Sequence, residues 1–128
     1  MIIDSSALVA ITFREPGHPE LIAKLASASS AGIGTPTLAE TGLVLAARLR
    51  RDSRDLIIRL LYEFNIEEVP FGDGHWKEAI DAYLRYGKGR HKAQLNFGDC
   101  LTYAVARLAR EPLLFTGNDF AQTDLDIA

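Results

Sequence analysis

Hydrophobic and polar positions along the chain divide it into short oily runs and longer amphipathic ones. Residues 1–3 (MII) form a brief apolar run that stops on Asp4, and residues 5–13 (SSALVAITF) follow as a helix that Glu15-Pro16-Gly17 breaks. Leu21, Ile22 and Leu25 recur at helical spacing between Pro19 and Ser29. "AGIGTP" is a small strand. The run from Pro36 to Arg50, apolar nearly all round, predicts a buried helix with Pro36 at its first position and Thr35 as N-cap. Asp55 to Phe64 carries Leu56, Ile57, Leu60, Leu61 and Phe64 on one face, and "IEEVP" is the next strand. Gly74 to Tyr86 reads as an amphipathic helix using Trp76, Ala79, Ile80, Tyr83 and Leu84. After the polar loop "GKGRHKAQLN" comes a helix from Phe97 to Arg110, capped by Asn96 and ended by Pro112. "LLFT" is a buried strand, "GNDF" a turn or short helix and "LDIA" a final edge strand.

Short apolar strands alternating with helices predict an α/β fold, a short, mostly parallel sheet with helices on both faces. The 128 residues, 48% of them hydrophobic, suit one domain with one core, and no run approaches the roughly 18 apolar residues of a membrane span. Met1 runs into the first strand without a basic or long apolar leader, so no signal peptide is expected. Cys100, the one cysteine, can form no internal disulfide, which fits a reducing cytoplasm.

The acids change this picture, because four of them fall where elements end or begin. Asp4 closes the first strand, Glu40 lies early in the helix after the second, Asp99 stands in the first turn after the polar loop, and Asp119 follows "LLFT". Open parallel sheets bind ligands beyond the carboxyl ends of their strands, where all four could converge. Each acid also has a structural use: Asp4 as an N-cap, Asp99 at a helix dipole, Asp119 as a turn former. Glu40 resists this account, since its surroundings run Leu, Ala, Glu, Thr, Gly, Leu, Val, and the nearest basic residue along the helix is Arg48.

Clustered carboxylates repel unless a positive charge joins them. Oxygen-only ligands suit Mg²⁺ or Mn²⁺, whereas zinc prefers the His and Cys pairs that His18, His75, His91 and Cys100 do not make. Mg²⁺ held by carboxylates completes its shell with phosphate oxygens, which points to hydrolysis of a phosphodiester. Ser6, two residues past Asp4, could orient that acid or a water, and serves equally as a helix-start hydroxyl. "GKGRHK" lacks the context of a P-loop.

The blocks "MIIDSSALVA", "PTLAETGLVLAAR", "YGKGRHKAQLNFGDCLTYAVAR" and "PLLFTGNDF" together resemble a PIN-domain ribonuclease, most closely the VapC toxins of bacterial type II toxin–antitoxin systems. The resemblance spans nearly all of residues 1–128 and implies a single three-layer α/β/α PIN domain. It places the family's catalytic pattern on Asp4, Ser6, Glu40, Asp99 and Asp119, with Asp4 and Asp99 the firm Mg²⁺ ligands and Glu40 beside them. The last block is shorter than in many relatives, so Asn118 and Asp119 are alternatives for the final position. The resemblance also implies a homodimer, an RNA substrate and a cognate antitoxin of the VapB type.

Net charge is −3, which argues against a general nucleic-acid binder, yet no acid lies between Asp81 and Asp99 while Arg85, Lys88, Arg90 and Lys92 do, with His91 among them. Lys88, Arg90, His91 and Lys92 are candidate RNA contacts; a solvated loop is the alternative. Two other functions fit less well. A phosphatase-like or phospho-acceptor site lacks the neighbouring acid and late lysine it needs, and a degenerate, non-catalytic PIN-like module is at odds with the complete set of acids.

Overall fold

Four parallel strands run through the middle of the computed structural model, which describes residues 1–128. They are β1 (Ile2–Ile3), β2 (Ala31–Gly34), β3 (Ile66–Val69) and β4 (Leu113–Leu114), in spatial order β3-β2-β1-β4. Ile2 lies opposite both Gly32 and Leu113, and Ala31–Gly34 pairs residue for residue with Ile66–Val69. Parallel neighbours need crossovers, here supplied by α1 (Ser5–Thr12), α2 (His18–Ser27), α3 (Thr35–Leu49), α4 (Arg54–Glu63), α5 (Asp73–Tyr86) and α6 (Phe97–Ala109).

Successive strand residues point to opposite faces, and the core divides accordingly. Ile2 and Leu113 join Ala79, Ala82, Tyr103 and Val105 of α5 and α6 on one side of the sheet. Ile3 and Leu114 join Ala7, Leu8, Ile11, Leu21 and Leu25 of α1 and α2 on the other. The result is the expected three-layer α/β/α arrangement. A Cβ at Gly34 would stand 2.8 Å from Val105 Cγ2, so the bare backbone there lets α6 lie close against the sheet. No helix is long and apolar enough to cross a membrane.

Four local expectations need correction. Helix α3 begins at Thr35 with Gly34 as its N-cap, so Thr35 is inside the helix and offers no side-chain cap. It is also not buried all round: only Thr37, Thr41 and Leu45 are, while Leu43 is 74% exposed, because α1 and α6 cover a single face. Helix α5 buries Ala79 and Ala82, whose small side chains permit close packing on α6, and leaves Trp76, Ile80, Tyr83 and Leu84 largely in solvent. Strand β4 stops at Leu114, and "LDIA" runs beside it: Leu113 N donates to Asp126 O (2.9 Å) and Ala128 N to Leu113 O (2.9 Å).

Candidate active site

Reading the strands in chain order, β1, β2 and β3 step to one side before the chain returns to place β4 on the other side of β1. The reversal opens a crevice beyond the carboxyl ends of β1 and β4. Asp4 stands at its base, 5% exposed, with its N–H donating to Leu114 O (2.9 Å). It is the N-cap of α1, its Oδ2 accepting from Ser6 N at 3.0 Å, so capping and a place in the crevice coexist. Its Oδ1 accepts from Thr102 Oγ1 of α6 at 3.0 Å. Ser6 Oγ accepts from Thr116 N at 3.0 Å, joining α1 to the chain leaving β4.

Glu40, in the second turn of α3, is partly rather than deeply buried because α3 turns its outer face to water. A hydroxyl satisfies it: Ser5 Oγ donates to Oε1 at 2.8 Å. Arg48, its nearest basic neighbour along the helix, is engaged elsewhere, 3.8 Å above the Phe13 ring and 3.9 Å from Glu15. The Glu40 carboxylate lies against Gly98, where any Cβ would collide with it, so glycine beside Asp99 lets α3 and α6 bring their acids together.

Asp99 is the third residue of α6 and forms a reciprocal cap with Asn96. Asn96 Oδ1 accepts from Asp99 N at 2.9 Å, and Asp99 Oδ2 accepts from Asn96 N at 3.1 Å. Burial raises its pKa to about 6; the Asn96 N–H opposes the rise, and the charges of Asp4, Asp119 and Glu40 add to it. Asp119 and Asn118 both lie exposed in the turn after β4, and it is the Asp119 charge that reaches Asp99.

The four acids therefore share one electrostatic field. None takes part in any of the chain's ion pairs. No three His, Cys, Asp or Glu side chains stand at ligand spacing in this conformation, so the acids are neighbours without being a closed cage. Such an arrangement fits a hard divalent cation, since Mg²⁺ is usually held by one or two carboxylates and takes its remaining oxygens from water and substrate phosphate. Asp99 Oδ1 takes no donor, and each Asp4 oxygen accepts one, leaving lone pairs on both side chains.

The loop before α6 is closed at its base by Lys88 N donating to Leu95 O (3.0 Å) and Leu95 N to Tyr86 O (2.9 Å). The Gly87–Leu95 bridge, parallel in sense, delivers the chain directly to the Asn96 cap, so the basic loop adjoins the start of the helix that carries Asp99. Lys88, Arg90 and Lys92 are exposed and form no ion pair, the Arg90 guanidinium lying 5.3 Å above the Tyr83 ring, and Lys88 lines a depression with Asn96 and Phe97. Arg85 of the same acid-free stretch is committed to Asp81, Asp124 and Tyr103. His91 is partly buried, its Nδ1 accepting from Ala93 N at 3.0 Å, and its ring meets Tyr86 edge to face.

Sequence reading misses Ser5, Thr37, Thr102 and Gly98. Faint signals exist: a second serine after Asp4, a threonine in the otherwise apolar interior of α6, and a glycine inside a helix beside an acid.

The family model described as "PIN domain" matches residues 1–125. Ribonuclease VapC36 of Mycobacterium tuberculosis is 48% identical over 127 residues, covering 98% of this chain and 91% of that protein. The crystal structure of M. tuberculosis VapC20, described as a sarcin-ricin-loop-cleaving toxin, superposes with a TM-score of 0.79 at 15% identity, over 99% of this chain and 97% of that one. A toxin–antitoxin complex from Klebsiella pneumoniae matches with a TM-score of 0.72 at 18% identity, over 99% and 95% of the two chains. With the acids gathered at the sheet's switch point and these likenesses along its length, the chain belongs to the PIN-domain family and, within it, to the VapC ribonucleases.

Proposed function

We propose that the chain is a Mg²⁺-dependent endoribonuclease that acts as the toxin of a type II toxin–antitoxin pair, with Mn²⁺ able to replace Mg²⁺. The observation that carries the reading is the Asp99 carboxyl, raised to about 6 by burial and by Asp4, Asp119 and Glu40, in a group of acids that the chain's own cations leave unpaired. Family membership and the ribonuclease names of its relatives support the same reading.

Asp4 and Asp99 would hold the cation, with Glu40 and Asp119 beside it. When bound, such an ion lowers the pKa of a water and offsets charge on the phosphate. The chain's residues do the rest. Asp4, whose Oδ2 caps Ser6 N and whose own N–H fixes it to β4, gives a rigid floor. Ser5 holds Glu40 toward α1, and Ser6 ties the β4 turn that carries Asp119 to the same helix. Lys88, Arg90 and Lys92 hold backbone phosphates beside the crevice; His91, occupied within its loop, offers only its remaining ring nitrogen. Attack by water, with no part for the ribose 2′-hydroxyl, leaves a 5′-phosphate and a 3′-hydroxyl.

The exposed apolar faces support protein partners. A groove of about 700 Å³ between α3 and α4 is lined by Leu38, Leu43, Ile57, Ile58 and Leu61, and Trp76, Ile80, Tyr83 and Leu84 lie outward on α5. Patches of this kind mark interaction sites. A cognate VapB-type antitoxin and a second copy of the chain are the partners proposed for them.

The test is incubation of purified protein with RNA in Mg²⁺, followed by mapping of the new ends. Wild type should produce 5′-phosphate ends that vanish with EDTA and with Asp99→Asn. Cyclic phosphate ends, or cleavage indifferent to EDTA, would overturn the proposal.

A further inference from the structure

Behind the carboxylates lies a line of buried hydroxyls that the reaction described above leaves unused. Thr102 Oγ1 is 3.0 Å from Asp4 Oδ1 and 2.9 Å from Thr37 Oγ1 in the first turn of α3. All three residues are withdrawn from water, with Asp4 at 5%, Thr37 at 3% and Thr102 at 1% exposure. No buried side-chain oxygen or nitrogen of the chain lacks a partner.

The direction of the line follows from counting hydrogens. A hydroxyl has one to give and an ionised carboxylate none. Thr102 gives its hydrogen to Asp4, so in the bond between the threonines Thr37 is the donor. The order is Thr37 to Thr102 to Asp4, crossing from α3 through α6 to the end of β1, between residues 98 positions apart at its last step. Thr41 Oγ1 in turn donates to the Thr37 carbonyl at 2.8 Å, so the start of the line is held as well.

We infer that Thr102, supported by Thr37, is a positioning residue that sets the orientation of the Asp4 carboxylate for divalent-cation binding; this rests on the metal-dependent reading above. The N–H of Ser6 fixes Oδ2 from within the same turn. One donor leaves the carboxylate plane free to swing about that bond. A second donor on Oδ1, from a different element, fixes the plane and with it the lone pairs that face the crevice. The surroundings of Thr102 are otherwise those of an apolar core: Cys100, Tyr103, Ala104, Val105 and Ala106 are all buried. A hydroxyl there is costly unless it is bonded, and its bond is to Asp4. Donors behind a metal-binding side chain tune affinity strongly, and their loss typically costs about 10–100-fold.

A plain clamp between α3 and α6 would use the same atoms, and the two roles separate experimentally. Mg²⁺ is titrated calorimetrically, without RNA, into wild type, Thr102→Val, Thr102→Ala, Thr102→Ser, Thr37→Val and Asp4→Asn, each checked for folding by circular dichroism. Positioning predicts that Thr102→Val, or Thr102→Ala should the valine variant not fold, raises the Mg²⁺ Kd about tenfold or more. Thr102→Ser, which keeps the Oγ, restores near-wild-type affinity. Thr37→Val falls between, because Thr102 keeps its hydrogen for Asp4 but loses its own support. Binding within twofold of wild type by Thr102→Val or Thr102→Ala overturns the inference, as does equal loss in Thr102→Ser. Absence of Mg²⁺ binding in wild type, or undiminished binding in Asp4→Asn, overturns the metal reading itself and the inference with it.

Discussion

Replacing Asp99 with asparagine should make the metal-free protein more stable at neutral pH. In the folded chain the Asp99 pKa rises from 3.8 to about 6, chiefly through burial and then through its acidic neighbours. A raised carboxyl binds its proton more tightly in the folded state than in the unfolded one. Stability therefore falls as pH climbs from 3.8 to about 6, and the full cost is present above 6. A shift of this size corresponds to about 3 kcal/mol at roughly 1.4 kcal/mol per pH unit. The side chain is partly open to solvent, and screening reduces this to about 1 kcal/mol. An asparagine side chain keeps an oxygen for the Asn96 N–H, so the helix cap survives the change. The expected gain is about 3–5 °C in Tm for a domain of this size. Thermal melts in EDTA at pH 7.5 should show that gain, and a pH series should show it shrinking below pH 6 toward the unfolded-state value of 3.8. Added Mg²⁺ should stabilise wild type and not the variant, narrowing or reversing the order. A variant that melts at or below wild type in EDTA at pH 7.5, or whose advantage is unchanged across the series, would refute the reasoning.

Three further outcomes follow from other parts of the structure. Lys88→Ala with Arg90→Ala should weaken RNA binding and lower the slope of log K against log salt by about 0.7 for each phosphate no longer neutralised, measured by filter binding or anisotropy across a salt series. Gly98→Ala should leave Tm unchanged or slightly raised, since alanine favours a helix by about 1 kcal/mol, yet reduce RNA cleavage at least tenfold (roughly 1.4 kcal/mol) by pushing the Glu40 carboxylate from its place. Tyr103→Phe removes the hydroxyl that donates to Asp124 at 2.7 Å and accepts from Arg85 at 3.3 Å; denaturant unfolding should show a drop of about 1–2 kcal/mol with cleavage by the folded protein unchanged.

Why some of this is legible in the sequence and some is not comes down to range. Asp4 announces itself because a carboxylate interrupts an apolar strand, and Asn96 with Asp99 is a local capping pattern; both are read within a few residues. The alternation of strands and helices leads to the parallel sheet for the same reason. Helices α3 and α5 escape such reading because periodicity identifies an apolar face without saying what covers it. Ala79 and Ala82 pack on α6 while Trp76 and Ile80 remain outside, a choice made by interhelical distance rather than by hydrophobicity. Glu40 looks in need of a cation because its partner, the Ser5 hydroxyl, lies 35 residues away. The bond from Thr102 to Asp4 spans 98 residues, and a threonine inside an apolar helix carries no mark of where its hydroxyl points.

Crystals soaked in Mn²⁺ and measured at the manganese absorption edge test most directly whether Asp4 and Asp99 share a cation. The account predicts an anomalous peak in the crevice beyond β1 and β4, bridging carboxylate oxygens of Asp4 and Asp99 with Glu40 beside it, and no such peak in Asp4→Asn crystals. Saturating Mn²⁺ with no density between those two side chains, or a peak bound only elsewhere on the surface, would contradict it.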